Sequence, residues 1–254
     1  MREVFSRKKI IFWIFIFMNI KKAVSQHIEM ENFFTGGVFV RGKQTDAAVK
    51  KEPDEATVQS QKGLEEITDE VAKCRKCEIG TTRTNAVAGE GHPRARIFFI
   101  GEAPGADEDE QGRPFVGRAG QLLDKIITAM GLKREDVFIG NILKCRPPEN
   151  RVPQANEIVN CLPYLQRQIE LIKPDIIVAL GAYSAQTLLE TTKAIGQLRG
   201  HFFDYYLGLG KPPIKLLATF HPAYLLRNYT HEARQKVWED MKKVLAELDL
   251  PVPP

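Results

Sequence analysis

The strongest constraint on the fold is a regular alternation between short apolar runs and longer amphipathic segments. The short runs are typical of buried strands, and the amphipathic segments have the spacing of helices. Strands are predicted at 97–100, 137–139, 176–180 and 214–220, and helices from Leu64 onward and at 119–130, 155–172, 182–189 and 233–248. Strands joined by helices require right-handed crossovers, so the predicted fold class is α/β, with a short, mainly parallel sheet covered on both faces.

Ligands in such a sheet bind beyond the carboxyl ends of the strands. The loops of interest are therefore those that follow Ile100, Ile139, Leu180 and Phe220. The third loop shows only the start of a helix. The other three carry glycines or polar side chains that are suited to a binding site.

Composition divides the 254 residues into a basic and apolar extension (1–29), a flexible linker (30–62) and one domain (63–250). The extension holds six Lys or Arg against two Asp or Glu and accounts for the whole formal charge of +4. The rest of the chain sums to zero, so any binding of nucleic acid must use a local basic patch. A hydrophobic content of 43% is sufficient for a real core.

The extension resembles a secretory signal, because basic residues precede an apolar run at 10–17 and a poor cleavage site follows at 23–25. The run is too short to span a bilayer, which needs roughly 20 apolar residues. Three interpretations stay open: translation that starts at Met18 or Met30, a signal or membrane tether, and a soluble extension. We expect a cytoplasmic protein with no stable membrane partner, since the chemistry below needs thiolates; secretion or tethering is the less favoured alternative.

The four cysteines form one pair and two spaced singles, Cys74-x-x-Cys77, Cys145 and Cys161. Four cysteines in a chain of this length are not a disulfide scaffold, and a single four-thiolate site explains their spacing best. Such a site holds either zinc or an iron–sulfur cluster. Because the second half is not another C-x-x-C, spacing alone favours the cluster only slightly. Unrelated thiols and a disulfide pair are weaker alternatives.

Three loops carry candidate ligand groups. The first, 101–105, allows close backbone approach and offers N–H groups as an anion-binding nest, although it is also an ordinary turn. It lacks the patterns of a P-loop and of a Rossmann turn. The Asn141 amide presents a donor beside an acceptor, which complements a pyrimidine edge, or else it caps a turn. His221, fixed by Pro222, aims a ring nitrogen into the cleft or is a structural histidine.

In this order, four motifs and the cysteine pattern resemble the family 4 uracil-DNA glycosylases. The motifs are G-E-A-P-G from Gly101, G-R-P-F-V-G-R-A-G from Gly112, N-x-x-K-C-R-P-P from Asn141 and H-P-A-Y from His221. The resemblance covers residues 64–248. It implies a three-layer α/β/α fold, a [4Fe–4S] cluster, and hydrolytic removal of uracil from DNA that releases uracil and leaves an abasic site.

The resemblance also implies a role for each matching residue. Glu102 stands in the water-activating motif, where family 1 relatives have Gln-Asp in place of Glu-Ala. Phe115 is expected to stack on a flipped uracil, Asn141 to read its edge and His221 to face its O2. Further substrate contacts are expected from Gly101, Ala103, Pro104 and Gly105, and cluster ligation from Cys74, Cys77, Cys145 and Cys161.

Other expectations come from position in the loops. Glu108 is the candidate that crowds the C5 position of uracil and so excludes thymine. Five cations near these loops are candidates for contacts with DNA phosphates, namely Arg113, Arg118, Lys144, Arg146 and Arg227. No motif lysine is placed for a Schiff base, so we expect a monofunctional glycosylase that acts on uracil-containing DNA as a monomer.

Two rival interpretations stay open on the sequence. One is a relative that remains covalently attached to uracil-DNA through a histidine in an inserted basic loop. No histidine lies between Asn141 and His201, which favours turnover over trapping. The other is a non-enzymatic iron–sulfur or zinc module that binds nucleic acid, for which the combination of Glu102, Asn141 and His221 would not be required.

Overall fold

The computed structural model of the protein describes residues 54–208, 210–228 and 230–253. The predictions made for the extension 1–29, and for residues 30–53 of the linker, fall outside this range. Among the described residues, no helix is both long and apolar enough to cross a membrane.

The flexible linker predicted for 30–62 is wrong over its last residues, because helix α1 spans Glu55–Lys73. Asp54 caps this helix: its Oδ1 accepts a hydrogen bond of 2.7 Å from the Thr57 N–H. Such a cap satisfies one of the free amides of the first turn and stabilises a helix by about 1 kcal/mol. The first two turns are mostly polar, so a prediction from hydrophobic spacing begins the helix too late, at Leu64.

A six-stranded sheet forms the centre of the domain, in the order β1-β3-β2-β4-β6-β5. The inner four strands are parallel, and β1 and β5 pair antiparallel at the two edges. The prediction of a mainly parallel sheet is confirmed. The strands are β1 (Glu90–Gly91), β2 (Ile97–Gly101), β3 (Phe138–Asn141), β4 (Ile176–Leu180), β5 (Phe202–Tyr205) and β6 (Ile214–Thr219).

Helices cover both sides of the sheet, which confirms the three-layer α/β/α architecture. Apart from α1, the helices predicted at 119–130, 155–172, 182–189 and 233–248 all lie within two residues of those bounds. A short 3-10 turn at Arg134–Asp136 precedes β3, and another at Pro148–Asn150 follows it. After α1, the helices are α2 (Ile79–Thr82), α3 (Ala106–Gln111), α4 (Arg118–Ala129), α5 (Ala155–Ile172), α6 (Ala182–Leu189), α7 (Ile195–Leu198), α8 (Pro222–Arg227) and α9 (His231–Glu247).

The core is built on the sheet, whose strands β2 and β4 are buried along their whole length. On one face, Phe98 packs edge to face against Phe138, with ring centroids 4.9 Å apart. Leu165 and Ile169 of α5 belong to the same cluster. Burial of each such side chain contributes about 1.5–3 kcal/mol. This packing fixes the carboxyl ends of four parallel strands at one edge of the domain.

Candidate active site

The four loops that follow β2, β3, β4 and β6 line one cavity of about 450 Å³. Gly101 adjoins the cavity, next to Asn141 and Phe115. The structure therefore brings most of the residues named from the sequence to one place. Those in the cavity wall are Glu102, Ala103, Pro104, Gly105, Glu108, Phe115, Asn141, His221 and Arg227.

Backbone hydrogen bonds hold the first two loops together. Gly101 pairs with Asn141 at the ends of β2 and β3. Beyond the strands, the Ile142 N–H donates to the Gly101 carbonyl and the Leu143 N–H to the Glu102 carbonyl, each at 3.0 Å. This continued ladder keeps Glu102 and Asn141 in a fixed relation.

Asn141 is the most informative residue of the site. It is 1% exposed, and its Oδ1 atom is buried without a hydrogen-bond partner in the described structure. A buried acceptor left unpaired costs about 1–3 kcal/mol. A Cβ at Gly101 would lie 2.3 Å from this oxygen, so only glycine permits the approach. The site thus holds a buried acceptor that is open to a donor from a ligand.

Phe115 supplies an aromatic wall. Its side chain is buried, and its ring lies so close to Gly101 that a Cβ there would be 2.7 Å from Phe115 Cζ. The His221 ring faces it with a centroid distance of 5.6 Å and an angle of 30°. The backbone of Phe115 has a φ of 51°, which is uncommon for any residue other than glycine. The ring position therefore depends on a strained loop.

Glu108 joins the first loop (101–105) to the loop that carries Phe115, which corrects one expectation. Its Oε1 accepts hydrogen bonds of 2.9 Å from both the Val116 and Gly117 N–H groups. Its Oε2 accepts one of 3.0 Å from the Gly105 N–H. Because both oxygens are engaged, Glu108 holds the two loops together. Glu108 also lines the cavity, and its role beside the C5 position of a base stays a prediction. The Gly105 N–H is not available to the predicted anion-binding nest.

His221 is a neutral hydrogen-bond donor. Its Nδ1 accepts from the Ala223 N–H at 3.0 Å, so the single proton of the neutral ring lies on Nε2. Burial, assisted by the positive charge of Arg227, lowers the pKa of His221 to about 4. A Cβ at Gly181, which has a φ of +91°, would be 3.0 Å from the His221 Cβ. The imidazole is therefore packed tightly and uncharged at neutral pH.

Glu102 is the carboxylate of the site. It is half-buried, and this burial raises the pKa of its carboxyl group. A raised pKa in a cleft is typical of a group that exchanges or orients protons. Glu102 thus lines the cavity and loses its proton at a higher pH than an ordinary glutamate.

Lys144 is wrongly predicted as a phosphate contact. It is 1% exposed, and its Nζ donates to the Asn141 carbonyl at 3.0 Å and to Gln168 Oε1 at 2.7 Å. Burial lowers the pKa of its ammonium group to about 8. The side chain therefore supports the backbone of Asn141 and does not reach DNA.

The other four predicted cations differ in availability. Arg227 is exposed and lines the cavity, and Arg118 is exposed at the start of α4. Arg146 is partly buried within its own loop. Arg113 is exposed, but the Glu90 carboxylate holds its guanidinium through two hydrogen bonds of 2.8 and 3.0 Å. Arg227 and Arg118 are thus better placed for DNA than Arg113.

The four cysteines come from the α1–α2 connection, the loop after β3, and α5. Cys145 and Cys161 are buried, and Cys74 and Cys77 are partly exposed. Electrostatic interactions link all four thiols, and burial raises the pKa of Cys161 to about 11. Arg83 Nη1 donates to Cys145 Sγ at 2.9 Å. Among the described residues, no group of three or more His, Cys, Asp or Glu side chains is arranged to hold a metal ion.

Two exposed aromatic residues at the cavity were missed from the sequence. Tyr183, in the third loop, is 43% exposed and Tyr224 is 37% exposed, and both line the cavity. Tyr224 packs against Phe220 with ring centroids 4.8 Å apart. Tyr224 could have been identified from the sequence, because it is the last residue of the motif H-P-A-Y. Tyr183 could not, because the third loop contains no such motif.

Comparison with known proteins agrees with this site. Residues 88–242 match the family described as the uracil DNA glycosylase superfamily. The type-4 uracil-DNA glycosylase of Thermotoga maritima is 48% identical over 181 residues, which cover 71% of this chain and 92% of that protein. The type-4 enzyme of Saccharolobus solfataricus is 48% identical over 186 residues (71% and 84%), and that of Archaeoglobus fulgidus is 45% identical over 186 residues (71% and 91%).

The sheet carries its cavity at the carboxyl ends of the parallel strands, and residues 88–242 match the family. The chain therefore belongs to the uracil-DNA glycosylase superfamily. The similarity to the enzymes just named extends over nearly their whole length. Within the superfamily, the chain therefore belongs to the type-4 uracil-DNA glycosylases.

Proposed function

We propose that this protein removes uracil from DNA by hydrolysing the N-glycosidic bond, which releases uracil and leaves an abasic site. The observation that carries the proposal is the buried, unpaired Oδ1 of Asn141. A cavity of about 450 Å³ holds a single base but not a duplex. The target nucleotide must therefore be extruded from the helix, at a cost of a few kcal/mol.

The Asn141 amide distinguishes uracil from cytosine. Uracil presents an N3–H donor, which the free Oδ1 accepts, and an O4 acceptor for the amide N–H group. Cytosine presents an unprotonated N3 and an N4 amino group, so both interactions are reversed and fail. Sites that hydrogen-bond a substrate through buried groups reject such analogues by large factors. Stacking on the Phe115 ring contributes about 1–3 kcal/mol toward extrusion and is insensitive to base identity.

His221 stabilises the leaving group. Cleavage places negative charge on uracil O2 and positive charge on the sugar. A neutral imidazole whose Nε2 carries the proton donates to this oxygen, and the low pKa of about 4 keeps that form present throughout the neutral range. Removal of a preorganised donor of this kind typically lowers the rate about 10²–10³-fold.

Glu102 acts on the other side of the bond. In its ionised form, the carboxylate orients a water molecule toward the sugar carbon and offsets the positive charge that develops there. Burial raises the pKa of this carboxyl group. Activity therefore requires a pH above that raised value.

The four thiols interact electrostatically with one another, and we propose that Cys74, Cys77, Cys145 and Cys161 bind a [4Fe–4S] cluster. Iron–sulfur clusters are bound by four thiolates whose sulfur atoms accept hydrogen bonds, and the sulfur atoms of this chain have such donors. When bound, the cluster supplies a structural tie between the end of α1 and the loop after β3. The donors are Arg83 to Cys145, the Gly80 and Ile79 N–H groups to Cys77, the Lys144 N–H to Cys161, and the Tyr164 hydroxyl to Cys74.

Partners and location complete the proposal. The substrate is uracil-containing DNA, held through exposed cations such as Arg118 and Arg227, and the protein works as a monomer. We place the activity in the cytoplasm, because genomic DNA and reduced thiolates occur there together.

A single assay tests the proposal. Purified protein is incubated with a labelled oligonucleotide that contains one uracil, then treated with hot alkali, which breaks the strand at an abasic site. We expect a break at uracil and none in matched thymine and cytosine oligonucleotides. DNA binding without any strand break would refute the glycosylase activity and favour a non-enzymatic module that binds nucleic acid. A shifted band that survives denaturation would instead indicate covalent trapping.

A further inference from the structure

We propose that Arg134 is a positioning residue for excision, which acts by holding Phe115 in its strained backbone conformation. The inference rests on the proposed function, in which the Phe115 ring stacks on the extruded base. Arg134 lies in the 3-10 turn before β3 and is absent from the motifs that identified the site. Its guanidinium does not line the cavity.

The guanidinium of Arg134 binds the loop that carries the ring. Nη2 donates to the Pro114 carbonyl at 2.5 Å and Nη1 to the Phe115 carbonyl at 3.2 Å. The same side chain is anchored by two carboxylates, with Nε at 2.8 Å from Glu90 and Nη1 at 2.6 Å from Asp124. The Arg134 side chain is only 22% exposed, and hydrogen bonds from a charged guanidinium are roughly twice as strong as those between neutral groups.

The loop needs such support because Phe115 has a φ of 51°. A residue other than glycine in this conformation costs about 1–3 kcal/mol, and persists only where its surroundings impose it. Glu108 binds the N–H groups that follow Phe115, and Arg134 binds the carbonyls of Pro114 and Phe115. A Cβ at Gly120 would lie 1.9 Å from the Phe115 oxygen. The loop is thus enclosed by Glu108 as the acceptor, Arg134 as the donor and the first turn of α4.

Arg134 also connects this loop to the sheet. Glu90, on the edge strand β1, accepts from both Arg113 and Arg134. Although burial opposes ionisation, these two guanidinium groups hold the pKa of Glu90 below its ordinary value. The ionised Glu90 carboxylate therefore connects the loop that carries Phe115, through Arg134, to the edge strand of the sheet.

The test is a double-mutant cycle with Arg134→Met and Phe115→Ala, measured by excision from a uracil oligonucleotide. Methionine keeps an unbranched stem but removes every donor. We expect Arg134→Met to lower kcat about 10²-fold, as a misplacement near 1 Å does, with little change in KM. In the Phe115→Ala background, the same substitution should have almost no further effect. Arg134→Lys should restore part of the rate.

Arg96→Met is the control, because Arg96, like Arg134, bridges a carboxylate and a backbone carbonyl, here those of Asp175 and Leu248, but does not contact the Phe115 loop. It is expected to keep the wild-type kcat. A merely structural role for Arg134 would lower thermal stability while kcat per folded molecule stays unchanged. Equal losses of kcat with and without the Phe115 ring would also refute the inference.

Amide hydrogen exchange separates this inference from the proposed function. If the wild-type protein excises no uracil, the proposed function fails, but the effect of Arg134 on the loop is still measurable. Arg134→Met should accelerate exchange at Val116 and Gly117, whose N–H groups bind Glu108, and Arg96→Met should not. Unchanged exchange at these amides would overturn the positioning role whatever the enzymatic result.

Discussion

Replacement of Asn141 by alanine should separate catalysis from stability in an unusual way. In most buried positions, truncation of a hydrogen-bonding side chain destabilises the protein, because a partner is left unpaired. Here the unpaired atom belongs to Asn141 itself, since its buried Oδ1 has no partner. Asn141→Ala removes that atom. We therefore expect a melting temperature equal to or above that of the wild-type protein.

The expected loss of activity follows from the same atom. The substitution removes the acceptor for uracil N3–H and the donor for O4, and a bidentate base contact is worth about 1–3 kcal/mol. At about 1.36 kcal/mol for each factor of ten, excision should slow by about 5–160-fold. Backbone contacts to phosphate are unaffected, so binding of undamaged DNA should change by less than about threefold.

The measurements are single-turnover excision, DNA binding by anisotropy, and thermal unfolding. Asn150→Ala is the matched control, because Asn150 lines the same cavity but its Oδ1 already accepts from Arg146 at 2.8 Å. It should keep the wild-type excision rate. If Asn141→Ala excises uracil at the wild-type rate, or loses excision and DNA binding equally, then Asn141 does not recognise the hydrogen-bonding edge of uracil. A large drop in melting temperature would show that Oδ1 is satisfied in solution.

Three further predictions concern ionisation, the thiols and DNA affinity. Because burial raises the pKa of Glu102, excision should fall as the pH drops through a value above that of an ordinary glutamate; Glu102→Gln should remove this dependence and slow excision about 10²-fold. His221, with a pKa of about 4, should add no second limb above that pH. Cys145→Ala should reduce folded yield, iron content and visible absorbance together. Arg227→Gln should lower the slope of log affinity against log salt by about 1, whereas Arg113→Gln should change it less, since Glu90 already holds that guanidinium.

Each of these has a result that would contradict it. An acidic limb that persists in Glu102→Gln would assign the titration to another group. A Cys145→Ala protein with full activity and undiminished iron would remove that thiol from the ligand set. Equal salt slopes for Arg227→Gln and the wild-type protein would exclude a phosphate contact at that position.

The sheet and the long helices could be predicted because their apolar spacing reflects burial. β2 and β4 are covered on both faces, so they appear in the sequence as uninterrupted apolar runs. β1 could not be found in this way, since its two residues carry no periodicity. The first turns of α1 were missed for the opposite reason: they are helical but mostly exposed, and their apolar stripe begins near Leu64.

The candidate site could be located but not fully interpreted from the sequence. Strand ends identified Asn141 and His221, because topology alone brings these positions together. Charge and chain position did not reveal that Lys144 is buried beneath Asn141 or that Glu108 is occupied by three backbone N–H groups. Those facts depend on contacts between segments distant in the chain. Arg134 could not be identified from the sequence for the same reason.

The close approaches at Gly101 and Gly120 have a consequence for mutational tolerance. Neither glycine carries a functional group, yet a methyl group at Gly101 would overlap Asn141 and Phe115, and one at Gly120 would overlap the Phe115 carbonyl. A saturation library selected for uracil excision should therefore reject substitutions at both positions as strictly as at Asn141. Such intolerance would reflect excluded volume around one aromatic ring, so a map of essential positions in this protein outlines the shape of the pocket as well as its chemistry.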